Sequence, residues 1–470
     1  AAVRNLLRFV DSVTKTENAS AVFDRDADYR MAVSVAENSA VLLKNEKGVL
    51  PLAKGCKAVF LGEFAQHPRY QGGGSSHVNS AKVSCALEHA PGVAYAQGYR
   101  TDEDTVDPAL EQAAVAAAAD AEVAVIFAGL PERYESEGYD RTTLAMPENQ
   151  NHLIAAVAAV QPNTVVVLHN GSAIEMPWVN DVPAVLELYL AGDGAGEAAV
   201  NLLYGAVNPS GKLAETFPRR LSDTPAYLSF PGERETSVYS EGVFVGYRYY
   251  DTTEADVLFP FGHGLSYTTF EYSVLRLSRS TVREGEKVQV TVTVKNTGAV
   301  AGKETVQLYV APPKGERHRP VRELKGFAKV SLQPGESKEV QFTLDKRSLA
   351  YYEPELHDFY AESGTYQICV GASSRDLRLT GLLEWQAQPL PVHFTAASTL
   401  KQVMTHPVGA AIIGPILQHM AAAAGSATGK KDDDDSSLSM MMGIQLNTLI
   451  DFHVLTEEQL NGILSQINQA

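Results

Sequence analysis

Between residues 58 and 190 short apolar runs at 58–62, 93–97, 123–129, 164–169 and 184–190 alternate with alanine-rich segments of helical spacing such as 109–120 and 149–160. Strands that alternate with helices imply βαβ units and a largely parallel sheet. Upstream, the apolar spacing of residues 29–44 predicts one helix, ending before the turn residues Gly48 and Pro51. A helix over about 195–204 is stopped by Asn208-Pro-Ser-Gly-Lys-Leu213, so the α/β region is expected to close near 215.

Residues 217–270 hold twelve Tyr or Phe residues and little periodicity, the pattern of a segment wrapped over something else. From about 271 the chain changes to short alternating strands at 287–294, 304–310, 339–344 and 364–370, which predict an antiparallel β-sandwich ending near Trp385. The remainder, 386–470, has helical patterns at 398–423, 442–452 and 456–468. They are interrupted by the acidic linker Lys430-Lys-Asp-Asp-Asp-Asp-Ser-Ser437.

With 45% hydrophobic and 20% charged residues the 470-residue chain has an ordinary globular composition. Its net charge of −17 argues against a nucleic-acid surface, which needs clustered cations to displace counterions from phosphates. Cys56, Cys85 and Cys369 are odd in number and widely spaced, so neither a disulfide framework nor a CxxC metal site is expected. Free thiols favour a reducing, cytoplasmic setting. The most apolar stretch, 406–425, is broken by Pro407, Gly409, Gly414 and Pro415, so no membrane span is expected. The chain opens in mid-pattern at Ala1-Ala-Val-Arg-Asn-Leu-Leu, and a preceding segment is expected.

Two loops carry the chemistry. Glu132, Glu135, Glu137 and Asp140 follow the run at 123–129, and the end of a sheet strand is where open α/β folds bind ligands. A carboxyl there serves as a proton donor if its surroundings raise its pKa; an ordinary solvated loop fits the same pattern. Arg141 is expected to orient Asp140. The second loop, Arg69-Tyr-Gln-Gly-Gly-Gly-Ser-Ser-His77, lets backbone approach a ligand and offers hydroxyls and amides to sugar hydroxyls or phosphate. It lacks GxGxxG or GxxxxGK spacing, and a plain flexible loop is the alternative. Gly192-Asp-Gly-Ala-Gly-Glu-Ala-Ala199 reads as a structural helix entry. His67, His77, His169 and His263 show no metal-ligand spacing. A serine-hydrolase elbow and a zinc-protease helix are absent, whereas glycoside hydrolysis, which needs paired carboxyls, fits better.

Several motifs together resemble glycoside hydrolase family 3, the β-glucosidase group. They are Glu37-Asn-Ser-Ala-Val-Leu-Leu-Lys-Asn45, Tyr70-Gln-Gly-Gly-Gly-Ser-Ser76, Ser136-Glu-Gly-Tyr-Asp-Arg141, Asn208-Pro-Ser-Gly-Lys-Leu213, Glu241-Gly-Val-Phe-Val-Gly-Tyr-Arg-Tyr-Tyr250 and Phe259-Pro-Phe-Gly-His-Gly-Leu-Ser-Tyr267. The resemblance covers about residues 1–385. It implies an α/β-sandwich domain over 21–215 and a fibronectin type III domain over 271–385. Residues 1–20 then hold the last helix of a preceding (β/α)₈ barrel and a linker, and the helical tail falls outside the common core.

The resemblance assigns the acid/base role of a retaining mechanism to Glu137, with Glu135 as its nearest rival. The nucleophilic aspartate is expected from the missing barrel, as a preceding segment or a separate chain. Arg69, Gln71, Gly72, Gly73, Gly74, Ser75 and Ser76 are expected to line the mouth of the site, and residues 241–250 to pack between domains. The implied substrate is a β-glucoside or related oligosaccharide, and the mechanism calls for neither metal nor organic cofactor. A non-catalytic carbohydrate-binding or scaffold protein is the competing reading. An exposed apolar patch around 217–270 is expected where the barrel is absent, and with it a possible homo-oligomer.

Overall fold

The computed structural model describes residues 2–15, 22–315, 317–354, 356–388, 393–428 and 442–469. They form two compact units, divided between residues 387 and 388.

The first unit begins with helix α1 (Ala2–Lys15), which buries none of its residues. Helix α2 (Arg25–Ser39) is capped by Asp24, whose carboxylate accepts from the Ala27 amide. A six-stranded sheet follows, built from β1 (Val41–Asn45), β2 (Ala58–Leu61), β3 (Ala94–Ala96), β4 (Val123–Gly129), β5 (Thr164–His169) and β6 (Ala184–Glu187). Its order is β1-β6-β5-β4-β2-β3. All pairings are parallel except β1 with β6.

The expected helix over 29–44 is wrong at its C-terminal third, because α2 ends at Ser39 and residues 41–45 form the edge strand. Val41 and Leu43 enter one core and Leu42 the other, so this apolar run is buried on both sides as a period-2 element. Pairing with β6 satisfies its backbone and outweighs the helical spacing.

Helices α4 (Pro108–Ala119) and α5 (Glu148–Val160) cover one face of the sheet through Ala114, Ala118, Leu153, Ile154 and Val157. Helices α3 (Ala86–His89) and α6 (Ala195–Leu203) cover the other. In β4, Val125, Ile126 and Phe127 are completely or almost completely buried, each stabilising by about 1.5–3 kcal/mol. Gly194 and Gly196 sit at the entry to α6. A Cβ there would lie 2.6 Å from Val33 Cγ2 and 2.2 Å from the Cys85 carbonyl carbon, so these glycines permit close packing, in line with a structural helix entry.

The sandwich pairs a five-stranded sheet with a three-stranded one. The first runs Thr281–Arg283, Leu377–Gln386, Gly364–Gly371, Gly302–Ala311 and Glu323–Leu332; the second runs Ser337–Leu344, Val288–Asn296 and Phe270–Leu277. Their shared core includes Val290, Val292, Leu308, Tyr366, Ile368 and Trp385.

The aromatic-rich segment between the two domains contributes Phe217–Pro218, which pairs with Val257–Phe259, and the helix Tyr247–Thr252. It grips the sandwich: Arg375 holds Asp251 at 2.7 Å, and the Leu324 amide donates to Tyr247 Oη at 2.8 Å. Part of it faces solvent instead, with Leu228 at 96% and Tyr239 at 84% exposure and Phe230, Val238, Val243 and Val245 also exposed.

The second unit is helical, with Leu400–Met404, Pro407–Thr428, Thr448–Asp451 and Glu457–Asn468. Leu400, Val403, Ile413, Leu446, Leu449, Leu460 and Ile467 form its own core. Within the helical pattern expected over 442–452, Met442 and the turn Thr448–Asp451 are helical and residues 443–447 are not. The acidic linker at 430–437 lies outside the described residues.

Candidate active site

The chain steps from β2 outward to β3 and then back across β2 to β4, so the strand order reverses between β2 and β4. The carboxyl ends of two such strands leave a crevice between the loops that follow them, where doubly wound sheets bind ligands. The glycine-serine loop follows β2 and the acidic loop follows β4. Gly62, at φ +98°, turns the chain out of β2, and a Cβ there would lie 2.2 Å from the Phe127 carbonyl oxygen.

In the acidic loop a short 3₁₀ turn at Glu132–Tyr134 leads into extended Glu135, at φ −135° and ψ 111°. Ser136 and Tyr139 then bridge as an antiparallel pair, leaving Glu137 and Gly138 at the tip. On extended backbone, residues two apart along a bent loop need not share an environment, and Glu135 and Glu137 differ sharply.

Glu135 is tucked inward. Its carboxylate accepts from Arg69 at 2.6 Å, the Gly171 amide at 2.7 Å, Ser172 Oγ at 2.5 Å and Arg141 at 3.2 Å. Burial pushes this carboxyl up, but the Ser172 hydroxyl, the Gly171 amide and the Arg69 guanidinium together outweigh it and hold it below the ordinary value. All four donors favour its carboxylate form.

Glu137 is exposed. Its Oε2 accepts from the Ser75 amide at 2.7 Å and from the Ser75 hydroxyl. The hydroxyl first and the amide second lower its pKa. Gly74 makes this approach possible: its φ is +78°, and a Cβ would lie 2.7 Å from Glu137 Cβ. At Gly73 a Cβ would meet Glu132 Cγ at 2.9 Å and Ser136 Oγ at 3.1 Å. The two loops therefore pack backbone against side chain.

The other expected contacts divide into two groups. Gly72, Gly73, Gly74, Ser75 and Ser76 lie against or beside the acidic loop, and Ser76 Oγ closes the turn by donating to the Gly73 carbonyl at 3.0 Å. Arg69 is 7% exposed and lies beneath the loops, donating to the Leu130 carbonyl at 2.8 Å besides Glu135. Gln71 clasps the base of its own loop, donating to Tyr70 Oη at 2.9 Å and accepting from the Val78 amide at 2.9 Å. Arg141 does not orient Asp140 as expected. It reaches Glu135, Ser172 Oγ at 2.8 Å and the Ala173 carbonyl at 3.2 Å, because a buried carboxylate offers more to a guanidinium than an exposed one.

Beside the loops an open cleft of about 320 Å³ is lined by His67, Tyr70, Gln71, His77, Glu132 and Arg133. His169 lies deeper, with its ring 5.7 Å from Phe64 and 6.2 Å from Phe127. Burial lowers its pKa to about 4, so it stays neutral as a core residue. Among the described residues no three His, Cys, Asp or Glu side chains gather as metal ligands.

Sequence reasoning missed a buried polar group at the ends of β5 and β6. Glu187 accepts from the Tyr189 amide at 2.7 Å and from Asn170 Nδ2 at 3.0 Å, and burial pushes its carboxyl well above the ordinary value. Tyr189 Oη donates to Glu215 at 3.1 Å, and burial raises Glu215 too. The available signal was a carboxylate inside the apolar run 184–190. Glu215 also lines a concavity of about 490 Å³ with Thr216, Tyr247, Arg248 and Tyr250.

Residues 40–247 match the Glycosyl hydrolase family 3 C-terminal domain, and residues 304–374 match a Fibronectin type III-like domain. The α/β unit with its paired loops, followed by this sandwich, is thus the C-terminal architecture of a glycoside hydrolase. The chain is 48% identical to the thermostable beta-glucosidase B of Acetivibrio thermocellus, over 90% of this chain and 57% of that protein. It is 43% identical to an exo-alpha-(1->6)-L-arabinopyranosidase of Bifidobacterium breve, over 87% of this chain and 56% of that one. The crystal structure of a Bifidobacterium adolescentis GH3 beta-glucosidase superposes with a TM-score of 0.79 at 42% identity, covering 86% of this chain and 60% of its own.

The chain belongs to glycoside hydrolase family 3 and spans little more than half the length of these curated relatives. The Acetivibrio match leaves a tenth of the chain uncovered, which is less than residues 386–470 occupy. Part of the helical tail is therefore shared with that relative.

Proposed function

We propose that this chain supplies the proton-transferring half of a retaining β-glucosidase, with Glu137 as acid/base. The observation that carries this reading is the contrast within the acidic loop: Glu135 is locked among two guanidiniums, whereas Glu137 stands exposed on the glycine-serine loop at the switch point of the sheet. A retaining glycosidase needs a second carboxyl about 5–5.5 Å from the first as nucleophile. We assign that group to an aspartate of a (β/α)₈ barrel, present as a preceding segment or a separate chain.

In the first step the Glu137 carboxylic acid protonates the leaving oxygen while the aspartate attacks the anomeric carbon. In the second, the Glu137 carboxylate takes a proton from water that hydrolyses the glycosyl-enzyme. In the uncovered chain Ser75 stabilises the carboxylate, the wrong form for the first step. Substrate and barrel closing over the loop would exclude water and raise the pKa. Turning the Ser75 hydroxyl to accept rather than donate would favour the acid further.

The test is hydrolysis of an aryl β-D-glucoside by the chain alone, by the chain with the barrel added, and by Glu137→Gln in both settings. Restoration by the barrel and collapse in the variant support the reading. Turnover by the chain alone would place the nucleophile within these residues, and Glu132 beside Gly73 would be the first candidate. Binding of glucosides without turnover in any setting would favour the scaffold reading. The name of the Bifidobacterium breve relative puts an aryl α-L-arabinopyranoside in the same panel, with a β-xyloside, since pockets separate similar sugars by only a few kcal/mol.

A further inference from the structure

We propose that Glu135 is a positioning residue for Glu137: by clamping the acidic loop to the loops after β2 and β5, it sets where the Glu137 carboxyl stands. The proposal deepens the acid/base reading of Glu137 and rests on it.

Glu137 has little of its own to hold it. It occupies a two-residue tip, is exposed, and is hydrogen-bonded by Ser75, itself on an exposed loop. Its geometry must be imposed through the backbone. Glu135, two residues earlier, is the point at which the acidic loop is fastened to the rest of the domain.

Three segments meet there. Arg69, from the loop after β2, donates to Glu135 Oε2 at 2.6 Å and to the Glu135 carbonyl at 3.2 Å, fixing both side chain and main chain. The Gly171 amide and Ser172 Oγ, from the loop after β5, donate to its two carboxylate oxygens at 2.7 and 2.5 Å. Arg141, from the far end of the acidic loop, reaches Glu135 Oε1 at 3.2 Å and so ties both ends of that loop to one carboxylate. Gly171 makes room for this, since a Cβ there would lie 2.9 Å from Glu135 Oε2. The same Arg69 belongs to the loop that carries Ser75, so one carboxylate links both partners of the Ser75–Glu137 bond.

A residue that merely stabilised the domain would have no effect on Glu137 in the folded protein. A positioning residue must, and the sign tells the two apart. Removing the negative charge of Glu135 leaves Arg69 and Arg141 uncompensated, and by electrostatics alone that lowers the Glu137 pKa. Losing the register of the Ser75 bonds raises it, because those bonds favour the carboxylate.

The experiment is a carbon-13 NMR titration of the Glu137 carboxyl in the chain as it stands, assigned through Glu137→Gln, and repeated in Glu135→Ala, Ser75→Ala and the double variant. The expected result is an upward shift of about half a pH unit or more in Glu135→Ala. The double variant should rise by less than the two single shifts combined, because both act through one bond. An unchanged or lowered Glu137 titration in a folded Glu135→Ala chain would overturn the proposal, even if its melting temperature falls. Should Glu135→Ala fail to fold, Arg141→Gln loosens the same clamp and is read in the same way. The titration needs no turnover. No glycoside turnover even with the barrel added, with Glu135 still governing Glu137, would refute the catalytic reading and leave the mechanical link standing.

Discussion

Ser75 donates both its amide and its hydroxyl to one oxygen of Glu137, across a contact that only a glycine at position 74 allows. The hydroxyl contributes the larger part of the lowering of the Glu137 pKa. Ser75→Ala should therefore raise the Glu137 titration towards the ordinary carboxyl range while the remaining amide bond keeps it partly depressed. Carboxyl NMR checks this, and a downward shift would show that the hydroxyl is not a donor in solution. The sign for stability follows: a depressed carboxyl contributes stability above its unfolded pKa and loses it as pH falls through the folded value. Ser75→Ala should thus narrow the stability gap between neutral and acidic pH.

Gly74 and Gly138 lie on either side of the same carboxylate, and only the first should be sensitive to an added Cβ. At Gly74 a Cβ meets Glu137 Cβ at 2.7 Å and the backbone has φ +78°, so Gly74→Ala should cost about 1–3 kcal/mol and displace the acidic loop. At Gly138 a Cβ meets open space and φ is not left-handed, so Gly138→Ala should stay within about 0.5 kcal/mol of the parent. Urea unfolding of the two variants decides this; equal effects would mean that the loops do not pack as described.

Glu187 should make the chain less stable as pH rises. Its folded pKa is raised by burial, so its contribution is fully present below the unfolded value of about 4.3 and is lost as pH rises through the folded one, at about 1.4 kcal/mol for each tenfold difference in proton affinity between the two states. Glu187→Gln removes the ionisation, and Asn170 Oδ1, without a partner among the described residues, can accept from the new amide after Asn170 flips. Melting temperatures across mildly acidic to alkaline pH should show the variant gaining on the parent as pH rises. A constant offset at every pH would show that Glu187 does not titrate with unfolding.

Leu228, Phe230, Val238 and Tyr239 lie exposed within a short stretch of sequence, and large apolar side chains left in water favour association. Sedimentation of the chain should show concentration-dependent self-association, reduced in a Leu228→Ser, Tyr239→Ser double variant. A parent that stays monomeric at high concentration would show that this surface needs no partner.

The α/β order, the strands at 123–129 and 164–169 and the helices at 109–120 and 149–160 were legible because each depends on local periodicity reinforced by turn residues. The Ser136-Glu-Gly-Tyr-Asp-Arg141 motif likewise pointed to Glu137 within a loop of several acids. Residues 41–45 were misread because three apolar residues after a helix fit either period, and only pairing with β6 decides between them. The strand Glu323–Leu332 was not read although Ala328, Val330 and Leu332 alternate with Lys329 and Ser331, because Gly326 and the exposed Phe327 interrupt the pattern and most of its residues are only partly buried.

Arg69 and Gln71 show the same limit at the site. Both stand in the loop expected to face a ligand and both line the open cleft, but the sequence did not show that one folds under the loop to reach Glu135 while the other clasps its base. The sequence by itself determined the order of elements, the two domain types and the loops in which the chemistry resides, because these follow from short-range spacing. Only the tertiary structure decided which acid is anchored and which is presented, because that depends on Arg69, Arg141 and Ser172 arriving from different loops. The charge and burial they impose are set by distance in space, and no spacing along the chain encodes it.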